Sequence, residues 1–374
     1  LAAFGQSMAN ASDCYPAALA KARLLGDTGM AAEALTILSA LPALVKETAA
    51  YRRAYAMALY SAGRWTEAMP LITAVLMDDP LDSRFMLIRA HLLMENKEYR
   101  QASPLLDAYA GVDPNDRLYL LLRARLSMEH NKDRGAALSA LRRALERYPK
   151  DVDTLVYAAE LLWAGNASER SEAVVFAGTA LSLKPANERA LKVLLSADLA
   201  SGDAKAAAAR ADAILAASPA FQDYSLLLRA YRQAGRLDDA AKMARSWLAR
   251  DPVSEEANLA WLSLLIDRSE KSAASELVTR LLSGKGSSSY RSALYFQQSR
   301  LQTNDDAALA SLRSALVENG MNLDALVATY DLYFKKGDLQ RARFYLKQAL
   351  TVAPDRPDLA MRRDALAQLG VAIP

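Results

Sequence analysis

The chain has 374 residues, 52% of them apolar and 24% charged, which places it well outside the composition of disordered segments. Its formal net charge of +3 is too close to balance to favour nucleic acid or another polyanion as a partner. A single cysteine, Cys14, excludes an internal disulfide, and no apolar run reaches the roughly 18 residues that a membrane span needs.

In chain order, residues 1–14 fit no repeating pattern and are expected to form an N-terminal arm. Asp13, directly before Cys14, argues against a lipid-attachment site. Ten alanines then recur: Ala34, Ala68, Ala102, Ala137, Ala173, Ala207, Ala240, Ala274, Ala308 and Ala342. The steps between them are 34, 34, 35, 36, 34, 33, 34, 34 and 34 residues. A period of this length predicts stacked helix pairs, each too small to bury its own apolar face.

Between Asp82 and Pro114 the chain reads DSRFMLIRAHLLMENKEYRQASPLLDAYAGVDP, and from Leu323 to Pro354 it reads LDALVATYDLYFKKGDLQRARFYLKQALTVAP. Both stretches resemble the tetratricopeptide repeat, which pairs two antiparallel helices with Ala at position 20, an apolar residue at 24 and Pro at 32. Numbered this way, repeats begin at Tyr15, Ala49, Ser83, Arg117, Val152, Glu188, Phe221, Glu255, Ser289 and Leu323, and cover residues 15–354. The segment from Arg356 to Leu369 reads as an amphipathic helix that caps the last repeat, within a tail of residues 355–374. The resemblance implies an all-α fold, a right-handed α-solenoid (superhelix) of about ten stacked helix-turn-helix repeats.

Local chemistry supports each of these positions. The methyl group of Ala at position 20 lets two helices cross closely, and Leu38, Ile72, Leu106, Leu141, Leu312 and Leu346 face the same core one turn later. Gly29, Gly63, Gly202, Gly235 and Gly337 supply the left-handed turn, with Asn131 and Asn166 expected to replace glycine. Proline at 80, 114, 149, 185, 219, 252 and 354 ends the second helix. Position 8 is Ala in the first five repeats and becomes Leu195, Leu228, Leu262, Phe296 and Tyr330 afterwards. Position 24 shrinks to Ala177, Ala211 and Ala244 in the middle, so a change of curvature is expected near residues 150–220.

No catalytic constellation is present, and no enzyme activity, metal or cofactor is expected. His91 and His130 lie outside any paired metal spacing, and Gly284-Lys285-Gly286-Ser287 lacks the strand and upstream glycine of a phosphate loop. It reads as an inter-repeat turn. Asn166-Ala167-Ser168 fits a glycosylation triplet of the kind that arises by chance.

The resemblance further implies that positions 2, 5, 9, 12 and 13 of the first helices line a concave groove. Carried over, it gives Tyr60, Met94, Met128, Trp163 and Leu199 at position 12, Leu87, Leu121 and Val156 at position 5, and Arg23, Met57, His91, Arg125 and Glu160 at position 9. These residues would form an apolar, Met-lined trough with charged rims for a protein or peptide partner. The competing reading places the position-12 residues in the packing between repeats. Toward the C-terminus, Arg229, Arg232 and Arg300 could hold a carboxylate. The expected function is a non-enzymatic scaffold or adaptor; the sequence leaves its compartment open between cytoplasm and periplasm. The alternatives are the repeat portion of a larger bacterial envelope or polysaccharide-export machine, and a small-molecule or lipid carrier.

Overall fold

The structure is a computed structural model that describes residues 15–219 and 221–372; the expected arm over residues 1–14, with Cys14, lies outside the described residues. Among the described residues there are twenty-two helices and no strand. The chain divides into two compact units, Leu1–Val193 and Leu194–Pro374.

The first unit pairs α1 (Tyr15–Asp27) with α2 (Ala31–Ser39), followed by a single turn, α3 (Ala43–Lys46). The pairs α4 (Ala49–Ser61) and α5 (Trp65–Asp78), α6 (Ser83–Glu95) and α7 (Tyr99–Tyr109), and α8 (Arg117–Glu129) and α9 (Arg134–Arg147) come next. A last pair joins α10 (Val152–Trp163) to α11 (Ala167–Leu183). Each helix packs on its partner, and each second helix also packs on the first helix of the following pair. This is a helical solenoid: the apolar face of one pair is covered by the next.

Helix α12 (Glu188–Ser201) begins in the first unit and ends in the second. The second unit continues with α13 (Ala204–Ala217), α14 (Tyr224–Gln233), α15 (Leu237–Arg250), α16 (Glu255–Asp267) and α17 (Lys271–Ser283). It ends with α18 (Ser288–Leu301), α19 (Asp305–Glu318), α20 (Leu323–Lys335), α21 (Leu339–Val352) and α22 (Pro357–Gln368), the last burying Leu359 and Leu366.

Nine of the ten periodic alanines are fully buried where the two helices of a pair cross. Ala308 is the exception and is half-buried. It follows the turn Gln302–Asn304, where the backbone leaves α18 extended at Gln302 and Asn304. Core volume is traded between positions 8 and 24. In the first unit Ala56, Ala90 and Ala124 accompany Ile72, Leu106 and Leu141, whereas in the second Leu195 and Leu228 accompany Ala211 and Ala244; all ten are buried. A methyl group facing an isobutyl group fills the same space in either order.

Side chains close the helix ends. Thr48, Asp82, Asp116 and Asp151 each accept a hydrogen bond from the third backbone N–H of the first helix they precede. Gly63 and Gly235 take φ of 73° and 69° in their turns, a region where a side chain would be strained. The two asparagines expected in that role do not take it. Lys132, next to Asn131, carries the positive φ of 58°. Asn166 is extended and caps α11 in a reciprocal pair with Glu169. A side-chain oxygen that satisfies a helix N-terminus outweighs the tolerance of asparagine for left-handed backbone.

Candidate functional site

In the first unit, α1 packs on α4, and α5 carries the chain to α6. Leu19, Ala20 and Arg23 of α1, Ala50, Arg53, Ala54 and Met57 of α4, and Asp82, Arg84 and Phe85 at the start of α6 line a cleft of about 450 Å³. Leu19, Arg23, Ala50, Arg53, Met57 and Arg84 stand at positions 5, 9, 2, 5, 9 and 2 of three consecutive repeats. The floor is apolar and the rim charged. Arg53 donates to Asp79 at 3.1 Å and to Asp82 at 3.4 Å, and Arg84 pairs with Asp27, tying the third repeat to the first. Arg23 is exposed and meets no carboxylate among the described residues.

Further along the same unit, Tyr60, His91 and Arg125 are brought together by acidic side chains. The Tyr60 hydroxyl lies 2.8 Å from His91 Nδ1, and His91 Nε2 lies 3.4 Å from Glu95. Arg125 pairs with Glu95 and donates to Glu129 at 3.1 Å, and Tyr99 donates to Glu129 at 3.0 Å. A neutral imidazole with its proton on Nε2 satisfies both neighbours, donating to Glu95 and accepting from Tyr60. The rings of Tyr60 and Trp65 meet His91 edge-on.

Burial lowers the His91 pKa from its usual 6.5, overriding the attraction of Glu95, and pushes the Tyr60 phenol up to about 12. The unfolded chain therefore binds a proton at a higher pH than the folded imidazole does. Stability carried by neutral His91 is full above about pH 6.5 and is lost as pH falls toward the folded pKa. Thermal melts at pH 7.5 and pH 5.5 are expected to show this loss, and His91→Gln to reduce it. An identical pH dependence in the variant would exclude His91 as its source.

Tyr157 sits between the Arg125–Glu129 pair and the pair that Arg189 makes with Glu160 at 2.8 Å. Its buried hydroxyl meets no partner among the described residues, and burial pushes its pKa up to about 12. Tyr157→Phe removes a desolvated group that gains no hydrogen bond, so we expect it to raise stability by about 1 kcal/mol in urea unfolding. A drop in stability would show that the hydroxyl is bonded in solution.

Four expected groove residues are not at the surface. Leu87, Met94, Val156 and Leu199 are 6%, 1%, 1% and 8% exposed, so Leu87 and Val156 at position 5 and Met94 and Leu199 at position 12 belong to the core. The apolar rows of α6 and α10 turn toward the neighbouring pair, where burial of a large side chain gains more than exposure. Tyr60, Leu121, Met128 and Trp163 are half-buried, and Trp163 is covered on one side by Arg170, 5.6 Å from the ring.

Within the second unit, two of the three expected arginines already hold an internal carboxylate. Arg232 and Arg300 both pair with Asp267, at 2.5 Å and 3.0 Å, and Arg232 also donates to Ser263. Arg229 shares a shallow cleft with Arg232 and Asp267 and is exposed. At Gly284–Ser287, Ser287 caps α18 while Glu255 takes both its N–H and its hydroxyl, at 2.8 Å and 2.7 Å. A carboxylate thus occupies the end of the helix where a phosphate would have to bind.

The residues that sequence reasoning left out of the site are Leu19, Arg53, Arg84 and Phe85. Positions 2 and 5 of the first three repeats carried the signal for Leu19, Arg53 and Arg84. Phe85 stands at position 3 and had none. No described helix is long and apolar enough to cross a membrane. Among the described residues, no group of three His, Cys, Asp or Glu side chains is placed to hold a metal ion.

The tetratricopeptide-repeat family matches residues 19–83, 59–126 and 331–356. No curated protein is significantly similar to the chain. Among solved structures, PilW, a type IV pilus biogenesis factor, is 23% identical over 55% of this chain and 94% of its own, with a TM-score of 0.47. Yeast Tom70 is 12% identical over 96% of both chains, with a TM-score of 0.42. A human IFIT1 dimer with m7Gppp-AAAA is 16% identical over 94% of this chain and 89% of its own, with a TM-score of 0.46.

Proposed function

Because the chain carries tetratricopeptide repeats, we propose that it is a scaffold whose first unit binds a segment of a protein partner across α1, α4 and α6. One observation carries this reading: groove positions of three consecutive repeats converge on an open cleft of about 450 Å³ with an apolar floor. Clefts of this size accept one or two side chains of a bound segment and leave the rest of the affinity to contacts on either side. Arg23, exposed at the rim and paired with no carboxylate among the described residues, supplies a polar contact that fixes its register.

The reading differs from the trough expected around Tyr60 to Trp163. There the polar groups satisfy one another and several apolar groups are buried, so a ligand would have to displace existing contacts. At α1, α4 and α6 the apolar floor and Arg23 can be engaged while the Arg53 and Arg84 ion pairs stay in place. Affinity capture with the wild type beside Met57→Asp and a control on an exposed turn, Val253→Asp, tests the assignment. A partner retained by wild type and control but lost from Met57→Asp supports it. A partner set indifferent to Met57→Asp would place binding elsewhere on the chain.

A further inference from the structure

The second unit carries an apolar cleft that the function proposed above does not use. It lies between α19 and α21 and the turn after α19, and encloses about 730 Å³. Leu316, Val317, Met321, Tyr345 and Val352 form its apolar walls. Val317 and Met321 are 86% and 67% exposed, so the walls include large side chains that folding leaves in water. No carboxylate lines the cleft; Arg313 is the charged residue among its lining groups.

Charge is therefore confined to one end. Arg313 precedes Val317 by one turn of α19, and its guanidinium donates to the Tyr333 hydroxyl at 3.1 Å. Tyr345, in the wall, stacks on Tyr333 with ring centroids 5.7 Å apart and planes within 7°. Arg341 lies over the same Tyr333 ring at 5.3 Å and pairs with Asp338 at 3.3 Å. The hydrogen bond from Arg313, with Arg341 beside it, holds the Tyr333 hydroxyl below the usual phenol pKa, as a local positive potential should. Asp338 offsets Arg341, whereas Arg313 pairs with no carboxylate among the described residues. The guanidinium is thus positioned by a stacked tyrosine pair and retains free donors.

A trough with one cationic end, and apolar walls interrupted by Gln348 and Thr351, has a limited set of complements. A flat bilayer does not enter a cleft, and an amphipathic helix would need polar partners along both rims. From Tyr345 to Val352 the wall is about 10 Å long, enough for an extended hydrocarbon chain. We propose that this cleft binds a single-chain anionic amphiphile of the fatty-acid carboxylate type. Its head would pair with Arg313, and its chain would cover Val317 and Met321 toward Val352. A singly charged carboxylate matches one guanidinium that makes no ion pair among the described residues, Asp306 acting on it only at longer range, and can be held by two parallel N–H donors.

The test uses the full chain with methyl-labelled methionines and sodium decanoate kept below its micelle-forming concentration. The Met321 methyl signal, assigned with Met321→Leu, is expected to shift and saturate. Decanol, and decanoate with Arg313→Gln, are expected to bind roughly fivefold or more weakly. Val317→Asp, at an exposed position, should abolish the shift with a wild-type melting curve, and Arg313→Gln, which loses the Tyr333 hydrogen bond, should still melt cooperatively. Absence of a saturating Met321 shift would overturn the proposal. So would equal binding of decanol and decanoate, or binding indifferent to Arg313→Gln in a folded variant.

Discussion

Met94→Ala is expected to destabilise the first unit by about 2–5 kcal/mol without directly removing a contact to a partner. Met94 is 1% exposed and belongs to the cluster that contains Ile72, Leu93, Leu106 and Leu122. Truncation removes three heavy atoms from a packed site, losing their transfer free energy and leaving a cavity that the two flanking helix pairs close only in part. Met57→Ala is the informative comparison. Met57 is half-buried and lines the cleft, so less of its side chain is withdrawn from water and its loss is expected to cost clearly less stability. Urea unfolding separates the two variants, and partner affinity measured on the same proteins should show the reverse order. If Met94→Ala weakened binding while leaving the unfolding midpoint unchanged, Met94 would be a contact residue after all.

The second large effect is expected from Ala102→Leu. Ala102 is fully buried where α7 crosses α6, packed in the same cluster as Ala90 and Leu106. Three added carbons at a close crossing force the helices apart or push neighbours off their rotamers, at about 1–3 kcal/mol. Ala308→Leu supplies the control, because Ala308 occupies the equivalent repeat position but is half-buried. Part of its added side chain can lie in solvent, so the cost should be smaller. Equal thermal destabilisation of the two variants would mean that the crossing at α19 is as tight as the crossing at α7.

Much of the fold was legible because repetition multiplies weak signals. One alanine says little; ten at a near-constant step fix where second helices cross first helices. Among the nine first helices whose starts have described residues before them, the resemblance on which the repeat numbering rests places seven at the residue where they begin, from Ala49 to Leu323. The two departures, Tyr224 for Phe221 and Ser288 for Ser289, sit where Asp223 and Ser287 provide caps that start the helix at the following residue. The short α3 had no such signal, since one turn between repeats leaves no periodic trace.

The site was less legible than the scaffold. A repeat position gives the direction of a side chain from its own helix, and the neighbouring pair decides whether that direction ends in solvent. Leu87 and Leu121 share position 5, yet Leu87 is buried and Leu121 half-buried. Charged positions suffer the same limit. Arg125 looked like a rim residue, but Glu95 and Glu129 reach it from two repeats. Arg232 and Arg300 looked like a carboxylate site, and Asp267 supplies the carboxylate.

The sequence by itself determined the helical class, the repeat length, the crossing alanines and most helix starts, because these depend on residues close in the chain. Only the tertiary structure decided which apolar residues are core, which arginines are already paired, and that open clefts lie at α1, α4 and α6 and between α19 and α21. Those outcomes depend on residues about thirty or more positions apart, such as Arg84 with Asp27 and Arg232 with Asp267. Exposure and ion pairing are properties of neighbours in space, and a periodic pattern specifies neighbours only along the helix.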